Sequence, residues 1–191
     1  MTAEAVNVHG FSDLDDEVLA LRVREDFDAF AELYQRYLHL LYRFVRSQVS
    51  DDATAEDITA QVFFKALSSA STFRNEGSYQ SWLFRIAHNS IVSWRTSKSN
   101  GVIVLDQMPD SVDPEPSPIA KAITDEESTL VRKKVLALPP AQREVVALRY
   151  LHDFSIEEIA GVTRRTRGAV RILLHRARSR LRRDLEGKEA T

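Results

Sequence analysis

The sequence predicts an all-α protein built as two small helical domains joined by an acidic, proline-rich linker, the second domain carrying a helix-turn-helix. Three observations predict it. Glycine and proline are scarce, six of each, while Ala, Leu, Arg and Glu are abundant, which favours helix over sheet. Apolar residues recur every three or four positions on both sides of the linker. Four of the six prolines, at 109, 114, 116 and 118, fall within ten residues and divide the chain into parts of about 12–96 and 124–186, with 97–123 between them.

The N-terminal part reads as helices in order. Phe27, Phe30, Leu33, Tyr34, Tyr37, Leu38, Leu41, Phe44 and Val45 form one wide apolar face. A second helix is expected to begin near Thr54, with Thr54 and Asp57 as a capping-box-like pair and Ile58, Val62, Phe63, Ala66 and Leu67 as its apolar positions. Ser68–Gly77 is a polar break. A third helix is expected over about 78–96, with Tyr79, Trp82, Leu83, Ile86 and Ser90 on one face. Phe84 and Trp94 fall off that stripe, which leaves both open to exposure. Within the linker, Gly101–Leu105 reads as an extended segment packed on another surface, with a short strand as the alternative.

The C-terminal part reads as four helices. Thr124–Glu127 is a capping box opening the first, with Val131, Val135 and Leu138 inward. Pro139-Pro140 ends it and starts the second, because proline is tolerated in a first helical turn. Val145, Leu148 and Leu151 carry that helix. Ser155–Glu158 opens a brief third helix, with Ile156, Ile159 and Ala160 inward. After a turn at 161–165, Thr166 caps a long fourth helix with Val170, Leu174, Ala177 and Leu181 on one stripe. A short capped helix, a tight turn and a longer capped helix form a helix-turn-helix.

Charge locates the ligand. Net charge is only −2, but Thr163–Arg183 holds nine arginines and no acid. The stretch Gly101–Thr129 holds seven acids against Lys121 alone. Nine cations in one short stretch repel one another unless an anion neutralises them, so nucleic acid is the expected partner. Opposite the apolar stripe stand Gly168, Ile172, Arg176, Ser179 and Arg183, flanked by Arg171 and His175. Gly168 permits close approach, Arg171 or Arg176 suits a guanine edge, and Ile172 suits a thymine methyl. Arginines further along suit phosphates.

Enzyme chemistry finds no support. His9, His39, His88, His152 and His175 are scattered without ligand spacing, and there is neither a phosphate-cradling glycine loop nor a nucleophile elbow. No catalytic residue, metal or cofactor is expected. The chain has no cysteine, and residues 1–16 lack a signal-peptide core. No apolar run approaches a membrane span, so no membrane insertion and a cytoplasmic location are expected.

Five stretches carry a family resemblance. Leu138–Tyr150, Phe154–Ala160 and Leu174–Arg182 together resemble region 4 of the extracytoplasmic-function (ECF) sigma factors of RNA polymerase. Ala55–Leu67 is similar to the region 2 helix that docks on the polymerase clamp, and Ser81–Asn89 to the helix that follows it, which melts the promoter and reads its −10 element. The resemblance implies a sigma factor that binds core polymerase and promoter DNA and, as is frequent in the family, is held by an anti-sigma factor. It implies a polymerase-docking face at Asp57, Ile58, Gln61, Val62, Phe64 and Lys65, a set in which periodicity alone makes Asp57, Gln61 and Lys65 an ordinary wet face. It implies −10 contacts along the Ser81–Asn89 helix, at Arg85, His88 and Asn89, and −35 contacts at Arg164, Arg165, Thr166, Arg167, Gly168, Arg171, Ile172, His175 and Arg176. The acidic linker then stands where other sigma factors have a middle domain, and in the family such linkers run along the polymerase.

Melting DNA without ATP also requires a base pocket and stacking groups, for which Phe73, Arg74, Asn75 and Tyr79 at the polar break are the candidates. The sequence departs from the family at three places. Arg164 and Arg165 occupy a turn that usually holds a glycine and an apolar residue. A non-glycine residue at positive φ is costly, which predicts a re-formed turn with these arginines turned to phosphates. Leu173 replaces a frequent basic residue, and Ser93 a frequent Asp. The alternatives are a stand-alone helix-turn-helix regulator and a helical adaptor that binds only protein.

Overall fold

The computed structural model describes residues 11–74, 77–99 and 133–186. Among them the regular elements are helices: α1 (Asp16–Arg22), α2 (Phe27–Arg46), α3 (Asp52–Ser68) and α4 (Tyr79–Ser99), then α5 (Pro140–Leu151), α6 (Ile156–Thr163) and α7 (Arg167–Glu186). The linker and the start of the helix expected at Thr124 lie outside the described residues. Residues 133–136 are helical, Leu138 is buried, and Pro140 opens α5 at its first position.

Helices α1 to α4 form one bundle. Asp26 caps α2 by accepting from the Asp28 amide at 2.9 Å. Asp51, not Thr54, caps α3, and it accepts from the Thr54 amide at 2.7 Å. The helix thus starts one turn earlier than Thr54–Asp57 suggested, because Asp51 offers a carboxylate where Thr54 offers a hydroxyl. Helix α1 has no counterpart in the sequence reading. Its seven residues are too short for a periodic signal, and side-chain bonds hold it in place. Arg36 bonds Asp16 at 2.7 Å and the Leu14 carbonyl at 2.8 Å, Tyr37 bonds the other Asp16 oxygen, and Glu17 accepts from the Tyr79 amide at 3.0 Å.

The α2 stripe buries Phe30, Leu33, Tyr37, Leu41, Phe44 and Val45. Phe27, expected with them, is 66% exposed, since it opens the helix and touches only the outer side of the Phe30 ring. Leu151, expected inward, is exposed at the end of α5, where the chain turns away through Asp153 at φ 55°.

The two domains pack together, α4 against α6 and α2 against α5. Phe84, which fell off the apolar stripe of α4, is fully buried because the second domain covers it. Its ring centroid lies 5.2 Å from Phe44, 4.8 Å from His152 and 5.1 Å from Phe154. Burying one such ring contributes roughly 1.5–3 kcal/mol, and well-placed aromatic pairs add about 0.5–1.5 kcal/mol. Beside it, His88 Nδ1 meets Glu144 Oε1 at 2.6 Å, with Glu144 only 2% exposed.

His152 sits between Phe44 and Phe84 with both ring nitrogens buried and unpartnered. Burial, aided by the Arg43 charge, pushes its pKa down to about 4. Docking therefore favours the neutral ring. Stability from this source is complete above the ordinary pKa near 6.5 and is lost as pH falls toward 4, a total of about 3 kcal/mol. Small-angle scattering should show the radius of gyration rising between pH 7.5 and pH 5 in the unaltered protein. It should rise less in His152→Leu, which keeps an apolar side chain there without a titrating ring. Equal pH dependence in both proteins would contradict this role for His152.

Candidate nucleic-acid interface

Local chemistry builds the helix-turn-helix. The Ser155 side chain accepts from the Glu158 amide at 3.2 Å, and Glu158 accepts from the Ser155 amide at 2.8 Å, a complete capping box. Thr166 accepts from the Ala169 amide at 3.2 Å and fixes the start of α7. Val145, Leu148, Ile159, Val162, Val170, Leu174 and Ala177 bury the inner faces of α5, α6 and α7 against each other.

The turn between α6 and α7 is not re-formed. Arg164 adopts the left-handed conformation, φ 53° and ψ 40°, and the Arg165 amide donates to the Ala160 carbonyl at 3.0 Å. A left-handed non-glycine residue costs roughly 1–2 kcal/mol. The turn thus takes a left-handed residue with arginine in that place, and both Arg164 and Arg165 stay exposed.

The outer face of α7 and its approach are open. Thr166, Arg167, Gly168, Arg171, Ile172, His175 and Arg176 are all exposed. Ile172 is 53% exposed, an apolar side chain placed among cations. Arg167 pairs with Glu157 at 3.1 Å, but both are well exposed, so this pair is screened and readily exchanged for a phosphate. A Cβ added at Gly168 would meet nothing within 4 Å. Internal packing therefore gives no reason for a glycine that weakens the helix by about 1 kcal/mol relative to alanine. At this face the structure combines long donors, an apolar contact and a bare backbone in the geometry a major groove admits.

The first domain divides the remaining candidates. On α3, Asp57, Gln61 and Phe64 form an exposed stripe, and Phe64 is 72% exposed. Lys65 is exposed and bonds the Ser90 hydroxyl at 3.0 Å. Ile58 and Val62, expected on the docking face, are buried at 2% and 0% because they belong to the inner stripe of the same helix.

Phe73 and Tyr79, expected to stack on bases, are core rings at 7% and 3% exposure. They pack edge-on at 5.8 Å, and Trp82 closes the group at 5.7 Å from Phe73. Arg74 is exposed, and Asn75 lies outside the described residues. On α4, Arg85 and Asn89 are exposed, whereas His88 is buried against Glu144 of the second domain. The Arg85 guanidinium stands 3.9 Å from the position of a Gly161 Cβ, at the contact of α4 with α6. Among the described members of the expected −10 set, Arg74, Arg85 and Asn89 are thus open in this arrangement.

Sequence reading missed Glu144 and His152 as interdomain residues. It also missed the exposed Tyr150 on α5, whose aromatic ring on a helix face was the available signal.

Comparison with known proteins accords with this geometry. The Sigma-70 region 2 model matches residues 33–100, and the Sigma-70, region 4 model matches residues 128–181. The chain is 33% identical over 152 residues to the ECF RNA polymerase sigma factor BldN of Streptomyces coelicolor, covering 78% of this chain and 58% of that one. It is 30% identical over 187 residues to the RNA polymerase sigma-H factor of Pseudomonas aeruginosa, covering 90% of this chain and 94% of that one. The sigma factor RpoE of Bartonella quintana, solved in complex with the anti-sigma factor NepR, superposes with a TM-score of 0.67 at 25% identity, over 82% of this chain and 96% of that one. With both regions matched in order, one relative covered nearly end to end and BldN an ECF sigma factor, the chain belongs to the ECF RNA polymerase sigma factors.

Proposed function

We propose that this chain directs transcription initiation by holding core RNA polymerase and recognising −35 and −10 promoter elements in the cytoplasm. In this reading region 2 spans 12–96, the connector 97–123 and region 4 124–186. The observation that carries it is the outer face of α7, where Arg171, Ile172, His175 and Arg176 stand exposed behind a capped turn with no acid among them. Arg171 and Arg176 read base edges of the −35 element, Arg164, Arg165 and Arg167 hold phosphates, and Gly168 lets the groove close on the helix.

Asp57, Gln61 and Phe64, with Lys65 at their edge, dock on the polymerase. Phe64 is the anchor, since a large ring 72% exposed is the kind of group an interface buries. An anti-sigma factor is a further partner, by analogy with the RpoE relative and its NepR.

The −10 contacts fall to Arg74, Asn75, Arg85, His88 and Asn89. His88 reaches DNA only if α4 parts from the second domain, because Glu144 of α5 now holds it. Promoter binding on this reading includes opening of the domain junction.

The test is run-off transcription with purified core polymerase on templates from the host genome. The expected outcome is a specific start that depends on this protein and is strongly reduced by Phe64→Ala, with helix content unchanged. Specific DNA binding with no transcript from any template would instead mark a stand-alone regulator.

Arg171→Ala and Arg176→Ala separate two kinds of contact. A base-reading arginine should cost about 1–3 kcal/mol at one −35 position and leave the other positions unchanged. Uniform weakening across all sequences, with a shallower salt dependence, would assign that arginine to phosphate.

A further inference from the structure

Helix α1 and the turn after it hold the α3–α4 connection at both ends. On the α3 side, the guanidinium of Arg24, two residues past α1, donates to the Ser71 carbonyl at 2.6 Å. On the α4 side, the Tyr79 amide donates to the Glu17 carboxylate at 3.0 Å. Seven helical residues rise about 10 Å, so one short rigid element reaches both feet of the connection. Helix α1 is itself fastened to α2 through Asp16, which accepts from Arg36 and Tyr37.

Each foot has a defined local structure. Ala70–Thr72 form one 3-10 turn, and the Thr72 hydroxyl donates to the Ser69 carbonyl at 2.7 Å. Phe73 is buried against Tyr79 and Trp82, and Ala20 and Val23 line the same small apolar cavity from the α1 side. Gly77, at φ 139°, takes a conformation that other residues rarely adopt and leads into Ser78. The Ser78 hydroxyl accepts from the Ser81 amide at 3.2 Å and starts α4. Glu17 adds a carboxylate at the positive end of that helix.

Arg74 follows the buried Phe73 and is exposed, and Arg85 and Asn89 are exposed further along α4. Telling one base from another requires a donor held to within about 0.5 Å. An arginine on an untied loop does not meet that requirement, because loops move more than the helices they join. The Arg24–Ser71 bond is exposed, where a hydrogen bond adds little to global stability, so its main effect is on where the loop stands.

We propose that Glu17 and Arg24 are positioning residues for −10 recognition. By clamping both feet of the α3–α4 connection they fix Arg74 relative to Arg85 and Asn89. The inference rests on the promoter reading proposed above, and it assigns part of base selection to side chains that need not touch DNA.

Two measurements on the full-length protein test it. In the free protein, spin labels at Arg74→Cys and Ser93→Cys, both exposed positions in a chain without native cysteine, should give one narrow distance distribution. Glu17→Ala and Arg24→Ala should each broaden it. Glu17→Gln, whose amide oxygen still accepts from the Tyr79 amide, should keep it narrow. In holoenzyme with core polymerase, the probe is fork-junction DNA from a template that initiates, duplex through −35 and unpaired at −10. Each of the four bases is placed in turn at one −10 position. Discrimination among them should fall about tenfold in both alanine variants and be kept in Glu17→Gln. Affinity for the −35 duplex alone should be unchanged in all three. Unbroadened distances in both alanine variants, intact discrimination in both, or an equal loss at −35 and −10 would overturn the proposal. Broadened distances with no template that initiates would instead overturn the promoter reading.

Discussion

Phe84 has no access to water, and rings of both domains pack on it. Phe44 covers it from within the first domain, and His152 and Phe154 cover it from the second. This shared ring sets the rotation of α4 against α6. The rotation in turn places His88 on Glu144 and brings Arg95 and Arg143 to a common floor at Gln48. A buried polar group left without its partner costs about 1–3 kcal/mol, so the His88–Glu144 contact makes the junction specific as well as stable. Apolar packing contributes most of the attraction, and the polar pair fixes the register.

The two domains handle charge in opposite ways. The first satisfies its buried charges internally, with Arg36 spread over Asp16, Glu32 and three backbone carbonyls. The second leaves α7 electrostatically unbalanced and keeps it folded through caps and an apolar inner stripe. The left-handed Arg164 adds a local cost at the turn. Strain and repulsion concentrate where a polyanion would relieve them, which is the pattern expected of a binding element rather than a packing one.

Much of the fold was legible in the sequence because its signals are local. The Ser155–Glu158 box, the proline at the start of α5 and the stripe Val170, Leu174 and Ala177 each sit within one or two turns of chain. The outer face of α7 followed from the inner one by helical geometry. Ile58 and Val62 belonged to an apolar stripe that the sequence already displayed, and the family pattern drew them onto the wrong face of α3.

Phe84 and His88 were not legible, because their burial depends on residues far away in sequence. Helix α1 was missed for the same reason, since Arg36 and Tyr37 hold it from α2. Nor does any local signal mark the burial of Glu144 against His88 of the first domain.

The account makes the Phe84 junction a closed state that must open for His88 to reach DNA. The direct measurement is the distance between spin labels at Ser93→Cys on α4 and Ser179→Cys on α7, both exposed positions in a chain without native cysteine. The free protein should give one short, narrow distribution. The same pair bound to core polymerase and promoter should give a clearly longer one. An unchanged distance in a complex that initiates transcription would contradict the account.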